Sequence, residues 1–147
     1  MKKKTYTLIL SELFPAWHSK SGRPTNFRDS FISRKKLHTI RGNFVLWEKR
    51  IKEVREGRAV LSIRQWTGKP YNSSQKEIGL LDDGSGIGVQ RLVSDCLGNY
   101  FVGEEKRAIA PCIIANNDGL SVEDWSEWFD GNSSDELAII HFGDFRY

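Results

Sequence analysis

The residues with the clearest chemical potential lie in one short segment, residues 36–41, which reads Lys36-Leu37-His38-Thr39-Ile40-Arg41. A lysine stands three residues before a threonine, and an arginine stands two residues after it. If Thr39 begins a β-strand, the side chains of Thr39 and Arg41 point to the same side. Lys36, in the preceding turn, could fold back to that side. The spacing therefore allows an amine, a hydroxyl and a guanidinium to meet.

A threonine hydroxyl becomes a useful nucleophile only beside a base. A lysine can be that base if burial or neighbouring cations lower the pKa of its amine. Arg34 and Lys35 supply cationic neighbours for Lys36. A carboxylate would normally orient the lysine or shuttle the proton. On residue types alone, a basic strand edge without catalysis is the simpler interpretation of the segment.

The pattern Lys36-x-x-Thr39-Ile40-Arg41 resembles the signature region of ASCH domains, which belong to the PUA-like superfamily. A helix and then a strand are expected after it, in the same order as in that family. Residues 117–125 also resemble the acidic turn and helix of the family. The likeness covers about residues 30–147 and is closest to small bacterial and phage members. The resemblance implies an α+β fold, a PUA-like small mixed β-barrel with flanking helices, and a cleft at the motif.

The ASCH family is linked to RNA and to modified nucleosides, and some small bacterial members are acetylcytidine amidohydrolases that use a lysine, a threonine and a glutamate. By that pattern Lys36 would be the base and Thr39 the nucleophile. Arg41 would anchor a substrate or hold the motif loop. The family glutamate falls on Asp118, which is one methylene shorter. A loss of reach of roughly one ångström can cost on the order of a hundredfold in rate.

Aromatic side chains near the motif are candidates for ligand binding. Trp17, Trp66 and Tyr71 lie in or beside predicted loops, where a base could stack on a ring for about 1–3 kcal/mol. Arg64, on the strand that leads to Trp66, joins them as a candidate ligand-binding residue. Core packing is the open alternative for Trp66 and Tyr71. The helical spacing of the other three tryptophans predicts core positions: Trp47, Trp125 and Trp128.

The function predicted from these features is binding of RNA or a nucleotide by an ASCH-type domain, with no cofactor. The first alternative is an amidohydrolase acting on an acylated nucleoside such as acetylcytidine. The second is a protein-interaction domain, for example a phage accessory factor. A glycine cluster at residues 84–88 could cradle a phosphate, but it matches neither dinucleotide fingerprint nor P-loop, so a hairpin loop is predicted there.

The net charge of +3 conceals a division along the 147 residues. Residues 1–58 hold 15 Lys and Arg against 5 Asp and Glu, whereas residues 59–147 hold 7 against 14. The basic half suggests a polyanionic or phosphate-bearing partner. The alternative is a basic face that folds against the acidic half. The length predicts a single domain over residues 1–147.

No apolar run is long enough for a membrane span or a secretory signal, so a cytoplasmic protein without a membrane partner is expected. Cys96, Cys112 and the three histidines show no zinc-binding spacing, so no metal is predicted. The two thiols are expected to be reduced and partly buried.

Hydrophobic periodicity predicts five to seven strands and two helices. The expected strands cover residues 5–10, 59–66, 77–81, 87–93 and 137–142, with weaker signals at 99–102 and 109–115. A helix is predicted over residues 43–56, where Asn43 can cap the start and Gly57 can terminate it. A second helix is predicted after Ser121. Because the helices do not alternate regularly with strands, a small mixed barrel is favoured over a doubly wound sheet.

Overall fold

The computed structural model describes residues 2–95, 97–129 and 136–147, which contain eight strands and four helices. The strands are β1 (Lys4–Ile9), β2 (His38–Arg41), β3 (Ala59–Trp66), β4 (Gln75–Leu81), β5 (Gly88–Ser94), β6 (Tyr100–Val102), β7 (Arg107–Ile109) and β8 (Leu137–His141). The helices are α1 (Phe27–Ile32), α2 (Phe44–Arg55), α3 (Pro111–Asn117) and α4 (Val122–Phe129). The predicted α+β class is confirmed.

The described strands form two separate sheets. The first has the order β1-β3-β4, with β1 parallel to β3 and β4 antiparallel to it. The second has the order β2-β8-β5-β6-β7 and is antiparallel throughout. The closed barrel expected from the sequence is therefore not formed by the described residues. The edges β1 and β2 approach each other without pairing as a ladder, and one bond from the Arg41 side chain to the Ile9 carbonyl joins them.

Strand β8 lies in the middle of the core because both of its faces are buried. Ala138 and Ile140 face a cluster shared with α2, β1 and β3, whereas Ile139 faces a second cluster with α3 and α4. All three side chains have no accessible surface. Burying both faces of one strand fixes its register, because a shift by one residue would exchange the two clusters.

Local sequence signals determine the ends of the two predicted helices. The Asn43 side chain accepts a hydrogen bond from the amide of Leu46 at 3.2 Å and caps α2. The Ser121 hydroxyl accepts one from the amide of Asp124 at 3.2 Å and caps α4. Both expected helices are confirmed, and β3 has the predicted bounds.

Three local expectations were wrong. The apolar run at residues 109–115 gives only the end of β7 and then enters α3, where Pro111 occupies the first turn, the one place in a helix that tolerates it. The glycine-rich segment 84–88 does not close a hairpin, because β4 and β5 belong to different sheets. The thiol of Cys112 is exposed rather than partly buried. Cys96 lies outside the described residues.

Among the residues that the structure describes, no helix is long and apolar enough to cross a membrane.

Candidate functional site

A cavity of about 790 Å³ lies where the unpaired edges of β1 and β2 meet the end of β3 and one side of α4. Six of the eight residues predicted to form a site line it: Lys36, Thr39, Arg41, Trp66, Tyr71 and Asp118. A second cavity, of about 660 Å³, lies beside the 84–85 turn and Phe145, and of the eight it contains only Lys36. Asp118, which lies 82 positions after Lys36 in the sequence, thus shares one site with the sequence motif.

Backbone hydrogen bonds hold Lys36 and Asp118 against each other. The amide of Lys36 donates to the carbonyl of Ser30 at 2.9 Å, and the amide of Leu37 donates to the carbonyl of Asn117 at 2.7 Å. Gly119 has a φ of +81°, and a Cβ there would lie 3.3 Å from the Cβ of Lys36. Glycine is therefore suited to this turn on two counts, the left-handed backbone and the close approach.

The Lys36 ammonium is enclosed on three sides. Its Nζ donates to the main-chain carbonyl oxygen and to Oδ1 of Asp118, both at 2.7 Å. It also lies 3.9 Å from the centre of the Phe27 ring, a cation–π contact. The two charged side chains are no more than 3% exposed. Removing one partner from such a pair leaves an uncompensated buried charge, which typically costs about 3–5 kcal/mol.

Burial and charge act in opposite directions on the two partners. Burial lowers the pKa of the Lys36 amine and outweighs the attraction of Asp118, which would raise it. Burial would raise the pKa of the Asp118 carboxyl, but the charge of Lys36 and contact with His38 outweigh it, so that pKa is lowered. The site thus holds an amine that gives up its proton more readily than usual, beside a carboxylate that stays charged.

Thr39 and Arg41 lie on the same face of β2, as the alternation of the strand predicts. Nη1 of Arg41 donates to Oγ1 of Thr39 at 2.8 Å and to the carbonyl of Ile40 at 2.9 Å, while Nη2 donates to Ile9. Within the described ranges Arg41 makes no ion pair with a carboxylate. Its guanidinium has five N–H donors, of which three are used, so two remain for a ligand.

Aromatic rings also line the cavity. The rings of Trp66 and Tyr71 lie 5.2 Å apart between centroids, and Tyr71 is 89% exposed. Trp128, which helical spacing placed in the core, is half-buried and lines the cavity, 5.8 Å from Phe27. The cavity therefore offers flat apolar surfaces as well as charged residues.

Two of the predicted ligand-binding residues do not line this cavity. Trp17 is 61% exposed and packs edge-on against Trp128, with 6.3 Å between the ring centroids. Arg64 donates to Gln75 and lies 3.6 Å from the carboxylate of Glu77, so its charge is paired within the first sheet.

The structure adds Glu12, Phe27 and Trp128 to the cavity wall, and the sequence analysis had assigned none of them to a site. Glu12 belongs to the loop after β1, where no local pattern distinguishes it. Phe27 opens α1, a short helix that no sequence pattern predicted. For Trp128 the available signal was the apolar stripe on α4, which extends beyond the buried core to the cavity.

No group of three or more His, Cys, Asp or Glu side chains is arranged to hold a metal ion in the part of the chain that the structure describes. Comparisons of the chain with protein-family models, with curated proteins and with solved structures find no match. The assignment of a function therefore depends on the geometry of the cavity and on the motif that lines it.

Replacing Asp118 by asparagine tests the buried pair. Because the folded-state pKa of Asp118 lies below its usual 3.8, the stability it contributes is present above about pH 4 and is lost as pH falls through the folded pKa. We expect Asp118→Asn to lose about 3–5 kcal/mol in free energy of unfolding near neutral pH. The measurement is urea unfolding of both proteins from neutral pH to about pH 3.

The difference between wild type and Asp118→Asn should shrink steadily below about pH 4, because the unfolded wild-type chain then takes up a proton on Asp118 before the folded chain does. Asp83→Asn, on an exposed turn, controls for the change in net charge. A difference that stays constant across the whole range would show that the Asp118 charge does not stabilise the fold.

Proposed function

We propose that the cavity binds a nucleoside, either free or as one unit of an RNA strand. One observation carries this proposal: Lys36, Arg41 and Asp118 converge with the Trp66–Tyr71 ring pair on a single cavity. Its volume of about 790 Å³ falls within the range of about 300–1,000 Å³ that is usual for small-molecule sites. The resemblance of the motif to ASCH domains points to the same class of ligand.

Each wall of the cavity suits one part of a nucleoside. The Trp66 and Tyr71 rings offer stacking faces for a base. The spare N–H groups of Arg41 suit a carbonyl or phosphate oxygen. Lys36 occupies Oδ1 of Asp118, and Oδ2 carries no hydrogen bond from any other described residue. A carboxylate oxygen of this kind can accept from the exocyclic amino group of cytosine.

Removing either stacking ring should weaken binding of cytidine. At about 1–3 kcal/mol for each stacked base, we expect Trp66→Ala and Tyr71→Ala to raise Kd by about 5- to 150-fold. The matched control is Trp17→Ala, an exposed tryptophan outside the cavity wall, which should leave Kd unchanged. Isothermal titration calorimetry with cytidine and with a short single-stranded RNA measures both.

The salt dependence separates the two forms of ligand. Affinity for RNA should fall as salt rises, in proportion to the phosphates contacted, whereas affinity for uncharged cytidine should not. If the wild-type protein binds neither ligand at low salt, or if Trp17→Ala weakens binding as much as Trp66→Ala does, the proposed site is wrong.

A second candidate function, hydrolysis of an acylated nucleoside, is supported by the contacts of Thr39. The Arg41 guanidinium bonded to Oγ1 favours the developing negative charge of an attacking oxygen. The lowered pKa of the Lys36 amine, in the same cavity, favours the neutral form that can accept a proton. The Lys36, Thr39 and Asp118 set resembles that of the acetylcytidine amidohydrolases, with aspartate in place of glutamate.

The reaction would proceed through an ester. The Oγ1 of Thr39 would bond to the acyl carbon while its proton passes to the neutral Lys36 amine. The amide bond between the acyl carbon and the amino nitrogen of the nucleobase would then break. Lys36 would return the proton to that nitrogen as it departs. Water would hydrolyse the acyl ester on Thr39, which releases a carboxylic acid and restores the hydroxyl.

Lys36→Arg tests this mechanism because arginine keeps the positive charge but does not deprotonate in proteins. We expect the rate of cytidine release from N4-acetylcytidine, followed by liquid chromatography, to fall by about 10²–10⁴-fold. The matched control is Lys35→Arg, at an exposed neighbouring lysine, and its rate should equal that of wild type. An unchanged rate in Lys36→Arg would exclude Lys36 as the base, and no turnover by wild type would exclude this activity.

A further inference from the structure

A series of buried polar side chains runs from Asp118 to the opposite face of β2. Nδ1 of His38 lies 3.6 Å from Oδ1 of Asp118, and Nε2 of His38 lies 2.6 Å from the hydroxyl of Tyr147. Nδ2 of Asn117 donates to the same hydroxyl at 3.2 Å. His38 has no accessible surface and lies on the face of the sheet away from Thr39. Neither His38 nor Tyr147 lines the cavity.

The groups around His38 favour the tautomer that carries its proton on Nδ1. The Tyr147 oxygen accepts from Nδ2 of Asn117 and keeps its own proton, so its hydroxyl can donate to Nε2 of His38. In that arrangement the ring proton is on Nδ1, which has no hydrogen-bond partner at usual distance and faces Asp118. The opposite tautomer would direct a lone pair at a carboxylate.

The side chain of Gln90 holds Tyr147 where its hydroxyl contacts His38. Its Oε1 accepts from the amide of Tyr147 at 3.0 Å, and its Nε2 donates to the carbonyl of Tyr147 at 3.3 Å. Oε1 also lies 2.9 Å from Nε2 of His141. Because that oxygen can only accept, His141 must donate from Nε2. Burial, with a smaller contribution from nearby charges, lowers the pKa of His141 to about 2, so this histidine stays neutral.

We propose that His38 and Tyr147 are positioning residues of the cavity: through the Nδ1–H of His38 they orient the Asp118 carboxylate toward Lys36 and hold it in its charged form. This inference rests on the proposed function, because His38 and Tyr147 act as positioning residues of a site only if Asp118 takes part in binding a ligand. Burial raises the pKa of Tyr147 to about 12, so its hydroxyl remains a donor. The titratable groups that face Asp118 are Lys36, His38, Arg41 and Tyr147.

The first measurement needs no variant and no ligand. Long-range ¹H–¹⁵N correlation spectra of the wild-type protein report which ring nitrogen of His38 carries the proton. We expect the Nδ1–H tautomer. The Nε2–H tautomer in wild type would overturn the inference, because His38 would then present a lone pair to Asp118.

The second measurement compares Tyr147→Phe with wild type. Loss of the hydroxyl leaves Nε2 of His38 without a donor, so the Nδ1–H population should fall. The midpoint of the Asp118 carboxyl titration, followed by ¹³C NMR, should rise by about half a pH unit, because a ring N–H 3.6 Å from Oδ1 would no longer favour the charged carboxylate. The matched control is Tyr6→Phe, which also removes a phenol hydrogen bond, that to Glu53, but far from His38. Tyr6→Phe should change neither reading.

An unchanged tautomer, or an unchanged Asp118 titration, in Tyr147→Phe would overturn the positioning role. Equal changes in Tyr6→Phe would do so as well, since they would reflect general loosening. Failure of the proposed function has a different signature. The protein would then bind no cytidine, whereas the His38 tautomer and the response to Tyr147→Phe would still be measured as stated.

Discussion

The ion pair between Lys36 and Asp118 is the constraint on which the rest of the site depends. A buried ammonium and a buried carboxylate are tolerated only together, so the segment before β2 must meet the turn after α3. That meeting determines the position of the α3–α4 junction against the edge of the second sheet. It also places Thr39 and Arg41 in the same cavity wall. The charge division seen in the sequence, with a basic first part and an acidic second part, contributes one member of each sign to this contact.

The unpaired edges of β1 and β2 leave a cavity beside the Lys36–Asp118 ion pair. A closed barrel would have buried this edge under a ladder of backbone hydrogen bonds, whereas here one arginine side chain spans it and a cavity remains. The cavity has charged groups on one wall and the rings of Trp66 and Tyr71 on another. A planar, polar ligand such as a nucleobase matches both walls, which neither an aliphatic nor a purely ionic ligand would do.

The parts of the site that local rules control could be predicted from the sequence. Strand alternation placed Thr39 and Arg41 on one face, and capping by Asn43 and Ser121 determined the starts of two helices. The pairing of Lys36 with Asp118 had no local signal, and the family resemblance alone suggested it. Phe27 and Glu12 entered the cavity through long-range packing. At residues 109–115 the β-branched residues favoured a strand, but burial of Ile114 and Ala115 against α4 favoured a helix after Pro111.

We propose that a nucleoside occupies the Lys36–Asp118 cavity, and a cytidine titration followed by ¹H–¹⁵N correlation spectra would show which residues the nucleoside contacts. Occupancy of this cavity predicts shifts that saturate and that concentrate on the amides of Thr39, Gly42 and Leu120 and on the indole of Trp66, all in its wall. Shifts confined to the second cavity, around Gly84 and Phe145, would show that cytidine does not bind in the Lys36–Asp118 cavity. So would the absence of any shift at millimolar cytidine.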